Sequence, residues 1–357
     1  MKKTLVAVAA LAAATGAMAE VTISGFFDQA YNTVRSTTSA GASSSITSFG
    51  SNAIGQDSIV FGVSEDVGNG VKAFGNLALI TNITTGSGAV TGDNGSNVGL
   101  SGPFGTFGVG QGYSLVWKTT YASDASGFGS GVGNVHGVGA GGVGGGLGYT
   151  LPEFVPGLSL TVEKGLGETT TRQGDYMGMN ATYTTGGFMA SYSTGQYKAK
   201  GTAVLAAIAR SSSSAAASAV AGEWTDIPAV GDNAATTEAV TAGSKSSISA
   251  IALTYDFGMA KLFAGYNSNQ SGGDTDQTQN SSTFGVTVPF GAISVGIAQS
   301  QASYRSADAT NTSLTGTRML AKYAFSKRTN GYIQYGTAKV SGGASATGNG
   351  IGLTHSF

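Results

Sequence analysis

Few residues in this chain could do covalent chemistry. There is no cysteine and only two histidines, His136 and His355. Acid–base or serine-type hydrolysis needs a histidine held beside a carboxylate or a hydroxyl. His136 lies in a long polar stretch and reads as loop surface, while His355 lies near the C-terminus, in a pattern that turns it outward. Asp274-Thr275-Asp276 has the spacing to touch a divalent ion but sits among polar loop residues. The glycine run Gly139–Gly148 (GAGGVGGGLG) lacks the Gly-Lys-Ser/Thr that a phosphate loop requires. It reads instead as strand with a bare backbone, at odds with glycine's tendency to weaken strands. These residues point to no enzyme, cofactor or metal.

The elements around them follow from composition. Of 357 residues 58 are glycine, about one in six, against roughly 7% in average proteins. Lys plus Arg number 18 and Asp plus Glu 19, and the formal charge is −1, which argues against a nucleic-acid surface. Met1-Lys2-Lys3, the apolar stretch Leu5 to Ala14 and Ala17-Met18-Ala19 form a secretory signal peptide, residues 1–19, with the mature chain starting at Glu20. Removing nineteen of 357 residues leaves 338, with 16 basic and 19 acidic side chains.

Residues 20–357 read as one domain of strands. Apolar and small or polar residues alternate with a period of two. Ile351, Leu353, His355 and Phe357 share one face, as do Phe284, Val286, Val288 and Phe290. The same holds for Ile293, Val295 and Ile297, for Ile251, Leu253, Tyr255 and Phe257, and for Leu158, Leu160 and Val162. The opposite faces are rich in Gly, Ser, Thr and Ala, which would fill a soluble core poorly but leave room for water. Aromatic residues at strand ends (Tyr149, Tyr183, Phe257, Phe290, Phe325, Phe357) suit a membrane interface. A closed barrel is the all-β way to satisfy every backbone group in lipid. The expected fold is all-β, a transmembrane 16-stranded antiparallel up-and-down β-barrel. Seven tight turns are expected at 66–70, 102–105, 152–157, 184–187, 258–259, 290–291 and 326–330. Long loops are expected at 36–56, 83–95, 113–135, 165–174, 198–245, 268–281, 301–315 and 341–346. A secreted β-solenoid is disfavoured because no fixed repeat occurs.

Ser64 to Ala73 (SEDVGNGVKA) is similar to the motif SEDLGNGLKA, and Gly99 to Thr106 (GLSGPFGT) to GLSGDFGT. Tyr323 to Thr329 (YAFSKRT), Gly352 to Phe357 (GLTHSF) and Val21 to Gly25 (VTISG) resemble YxLSKRT, GLRHRF and VTLYG. In these segments, which appear in family order, the chain resembles Gram-negative trimeric general diffusion porins of the beta-proteobacterial type. The middle of the chain, roughly 130–250, matches weakly. The resemblance implies an outer-membrane homotrimer, surrounded by outer-membrane lipid, through which small hydrophilic solutes and ions diffuse. It also implies a third long loop folded inward and a terminal Phe357 read by the barrel insertion machinery.

By the same resemblance, Asp124 and Lys118 of the third loop border the constriction. Lys72 is the family's basic wall residue retained here, and Lys261, Arg318 and Lys322 face inward by alternation. Asp28 completes the candidate lining. The family's other basic positions fall on Ser58, Gly62, Gln111, Thr354 and Ser356. A weakly selective or mildly cation-preferring pore is therefore expected in place of a strongly anion-selective one. The alternative is a non-conducting barrel or adhesin whose loops bind surfaces.

Overall fold

The computed structural model describes residues 19–51, 53–81, 84, 95–125, 142–166, 175–198, 245–271, 277–306 and 309–357. Its strands are β1 (Glu20–Thr37), β2 (Ser43–Ser51), β3 (Ser58–Gly68), β4 (Val71–Ile80), β5 (Asn97–Gly102), β6 (Gly105–Tyr113), β7 (Gly142–Thr150), β8 (Leu158–Gly165) and β9 (Asp175–Thr185). They continue as β10 (Phe188–Lys198), β11 (Lys245–Asp256), β12 (Lys261–Ser271), β13 (Gln277–Phe290), β14 (Ile293–Ser306), β15 (Ala309–Ala324), β16 (Thr329–Val340) and β17 (Ser345–Ser356). A helix, α1 (Leu115–Ala122), follows β6.

The strands pair antiparallel with their neighbours, and β17 closes on β1 through Phe26↔Ser356 to Thr37↔Ser345. The seam continues past the last strand, where Gly25 and Phe357 exchange both backbone hydrogen bonds at 3.1 Å. The Phe357 ring lies where a Gly25 side chain would stand, and it contacts Phe27 at 5.5 Å between centroids. β2 and β3 share one wall position: β2 pairs with Gln29–Thr37 and β3 with Glu20–Phe26, both on β1. Seventeen strand segments thus make a closed sixteen-stranded antiparallel barrel, with one wall strand interrupted before Ser58.

The alternation sets the faces. Ile351, Leu353, Ile333, Tyr335, Ile251, Leu253, Phe284 and Met177 all point out and are exposed. An apolar girdle of this extent has no stable place in water and marks a membrane-facing surface. Aromatic pairs at the short-turn end, Tyr255–Phe257 at 4.4 Å and Tyr323–Phe325 at 5.1 Å, border it on one side. Toward the loop end it stops at Tyr192, Ile251 and Tyr266, which lie side by side across β10, β11 and β12.

All seven tight turns fall where the sequence places them. Several of the expected long loops are shorter than the sequence suggests. β1 runs to Thr37 and turns back through Thr38–Ala42 into β2, so most of 36–56 is strand. β14 runs to Ser306 and β15 begins at Ala309, leaving 301–315 almost wholly paired. β12 and β13 likewise extend into 268–281, and β16 and β17 close across a short turn within 341–344. The reason is physical. Above the hydrocarbon both faces of a strand meet polar surroundings, so alternation disappears while the backbone ladder continues. Residues 1–18 of the signal peptide, His136, Asp274, Asp276, residues 126–141 and most of 198–245 lie outside the described residues.

Candidate functional site

Among the described residues, two stretches of chain lie on the inner wall. The first is Ser114–Ala125. Ser114 caps α1 by accepting the Trp117 N–H at 3.1 Å, which supplies one of the partners that a helix start lacks. The Leu115 N–H donates to Glu163 Oε1 at 2.7 Å, placing a carboxylate at the positive end of the helix. The Tyr176 hydroxyl donates to the same oxygen at 2.7 Å. Thr119 meets Ser193 at 2.5 Å and Ser191 at 3.1 Å, and Ser193 donates to the Leu115 carbonyl. Val116 is buried among Tyr176, Tyr197, Ile248 and Ala250, all inward residues of β9 to β11. Farther on, side chains at Gly265 and Gly285 would overlap Ser123 and Ala125, and Thr287 donates to the Ala125 carbonyl at 3.1 Å. Missing side chains on β12 and β13 let the segment lie against the wall.

Along α1, Tyr113, Trp117 and Tyr121 stack at centroid spacings of 3.8 and 4.7 Å. Burial and the nearby Asp124 carboxylate push the Tyr121 phenol up, so it stays neutral. Lys118 is exposed on the same helix.

The second stretch is the interruption between β2 and β3. Asp28, fully buried, accepts the Ile54 and Gly55 N–H groups at 2.6 and 3.0 Å on one oxygen and the Tyr332 hydroxyl at 2.6 Å on the other. Arg318, 1% exposed, donates to the Ala53 carbonyl at 2.7 Å and to Gln334 at 3.0 Å. Asp57 accepts the Asp28 N–H at 2.6 Å and the Gln29 amide at 3.2 Å. Residues 53–57 are thereby strapped to the inner face of β1 and of β15 to β17.

The sequence-predicted residues separate into four places. Lys118 and Asp124 belong to the α1 segment. Asp28 and Arg318 meet beneath the strap, with Asp124 and Asp28 both acting electrostatically on the guanidinium. Lys72, Lys261 and Lys322 lie on inward positions at the short-turn end, where Lys72 stands opposite Asp66 across strands and Lys261 sits 5.2 Å over the Phe263 ring. Phe357 is at the seam. The sequence reading missed Gln56, Asp57 and Glu163 as site residues. Glu163 was detectable, because Leu158, Leu160 and Val162 face outward and put it on the inner face. Asp57 was not, since it lay next to a stretch read as loop.

An apolar exterior, a polar interior with chain segments folded on its wall, and sixteen strands define a membrane channel scaffold. The model of the family described as "Gram-negative porin" matches residues 6–343. The chain belongs to the Gram-negative porin family. The porin resembles several solved structures in fold. With an anion-selective porin from Comamonas acidovorans the TM-score is 0.69 at 19% identity, covering 95% of this chain and 100% of that one. With the trimer form of OmpT, an outer membrane protein of Vibrio cholerae, it is 0.66 at 14% identity, covering 95% and 99%. With OmpF of Salmonella typhi in complex with daunomycin it is 0.59 at 15% identity, covering 94% and 97%. No curated protein sequence matches the chain significantly. The porin resides in the outer membrane and is a channel for passive diffusion of small solutes.

Proposed function

We propose that the porin is a homotrimer of weakly selective diffusion pores, each narrowed by the segment that carries α1. The attachment of Ser114–Ala125 to inward groups of β8 to β13 carries this reading, because it holds a helix inside the barrel cross-section. Lys118 and Asp124 then flank the passage, while Lys72, Lys261 and Lys322 line its short-turn end. Much of the remaining inward charge is already engaged: Asp28, Asp57 and Arg318 in the strap, and Glu163 at the start of α1. Lys118 shares its segment with Asp124 and Lys72 stands opposite Asp66, so Lys261 and Lys322 set the net bias, about 0.5 kcal/mol for each unit charge across ~8 Å of water.

In a salt gradient across a planar bilayer, the anion-to-cation permeability ratio is expected within about fivefold of unity. A strongly anion-selective reversal potential contradicts the reading. One solved relative in fold is described as a trimer form, which supports the oligomer. A heat-shift gel of unheated protein is expected to run as a trimer, and monomer alone would count against it. Export by residues 1–19 fits a first strand that begins at Glu20. Phe357, following the last strand and exposed beside the seam, suits recognition by the barrel insertion machinery.

A further inference from the structure

The glycines of β6 and β7 have no packing reason at two positions. Among the described residues, a side chain at Gly112 or Gly148 would meet nothing within 4 Å, and neither glycine holds a left-handed φ. At two other positions of this hairpin glycine is needed. Gly145 has φ 56° where the β6–β7 register shifts, and a side chain at Gly110 would strike the Ser96 carbonyl. Glycine weakens a strand through chain entropy and lost packing, so two unforced glycines on one inner face imply that the space in front of them is used. That space is an open cleft bordered by Phe74, Gly108, Gln111, Gly112, Lys118 and Gly148.

Much of the rest of the inner wall is covered. Ser114–Ala125 lies over β9 to β13, and residues 53–57 lie over β1 and β15 to β17. The two covers are tied together where the Tyr113 hydroxyl donates to Gln56 Oε1 at 2.7 Å. Tyr113 and Gln56 are positioning residues in this arrangement, holding helix and strap against each other.

We propose that solutes and ions cross the narrow level of the pore along the glycine-bare face of β6 and β7, between that face and Lys118, with the strap of residues 53–57 as a second fixed wall. The inference rests on the channel reading. The solutes that suit it are small, hydrated and without need of a binding pocket, because the track offers bare backbone, the exposed ammonium group of Lys118 and a Glu163 carboxylate already engaged by Leu115 and Tyr176.

The porin has no cysteine, so single introduced thiols report on the path. Gly112→Cys and Gly148→Cys, together with Ala338→Cys as an inward site buried near the strap, are inserted into planar bilayers. A charged methanethiosulfonate reagent is then added to channels already conducting, so a folding defect cannot imitate block. Current is expected to fall about twofold or more in G112C and G148C, and to stay nearly unchanged in A338C. Unchanged current in both glycine variants, with wild-type channels open, overturns the proposed path. Block of A338C equal to that of G112C overturns the strap as a covering wall. Absence of current in the unmodified wild type would instead remove the channel reading.

Discussion

Arg318→Ala lowers the thermal unfolding temperature of the barrel in detergent by about 5 °C or more, the largest stability loss expected from any inner-face substitution. The substitution leaves the Ala53 carbonyl and the Gln334 side chain without the guanidinium that holds both. It also leaves the buried carboxylate of Asp28 without its neighbouring positive charge. Stripping one partner from a buried charged cluster costs about 3–5 kcal/mol. The loss is concentrated in residues 53–57, so the Ile54 and Gly55 amides lose protection from hydrogen exchange first. Arg318→Lys restores only part of the stability, since the shorter side chain stops its ammonium group short of the Nη2 position that donates to both acceptors. An unchanged unfolding temperature in Arg318→Ala would mean that water in the lumen replaces the guanidinium at no cost, and that the strap is not held by this cluster.

Conductance responds most to the bare positions under the α1 segment. In the double variant Gly265→Leu, Gly285→Leu, single-channel conductance is expected to fall at least about twofold, with rapid flicker in the open state. Side chains at these positions overlap Ser123 and Ala125, and the backbone of β12 and β13 cannot yield inside a closed barrel. The segment must therefore move off the wall and into the passage, losing the Thr287 contact to the Ala125 carbonyl. Overpacking of this kind typically costs about 1–3 kcal/mol, which a barrel of sixteen paired strands tolerates. Recordings indistinguishable from wild type would show that Ser114–Ala125 does not border the conducting path.

Much of the barrel was legible in the sequence because the membrane imposes a two-residue period on every strand it touches. Ile351, Leu353 and Phe357 could face only hydrocarbon once Gly352 and Thr354 faced the interior, and the tight turns follow from Gly and Asn at the breaks. Asn69 shows this, with φ 55° between two glycines that are also left-handed. The extensions of β1, β14 and β15 beyond the girdle were illegible for the complementary reason. Their outward residues, such as Thr33, Ser303 and Thr315, no longer meet lipid, so polarity there carries no information about pairing.

Within the site, position along the chain misled more than residue type. Alternation correctly turned Arg318 inward. It could not reveal that residues 53–57 would cover Arg318 and Asp28, because a break in one wall strand has no periodic signature. The glycine run is the converse case. Its strand character was readable against glycine's poor propensity, and residues 142–150 do form β7. Its bareness is intelligible only with α1 and Lys118 standing opposite.

Whether the interior conducts is decided by single-channel recording of the purified, unheated protein in a planar lipid bilayer. Discrete, stepwise ionic currents that scale with salt concentration are the expected outcome. A protein that inserts yet passes no current, or that stays dissolved without detergent, would contradict an apolar exterior surrounding a water-filled passage.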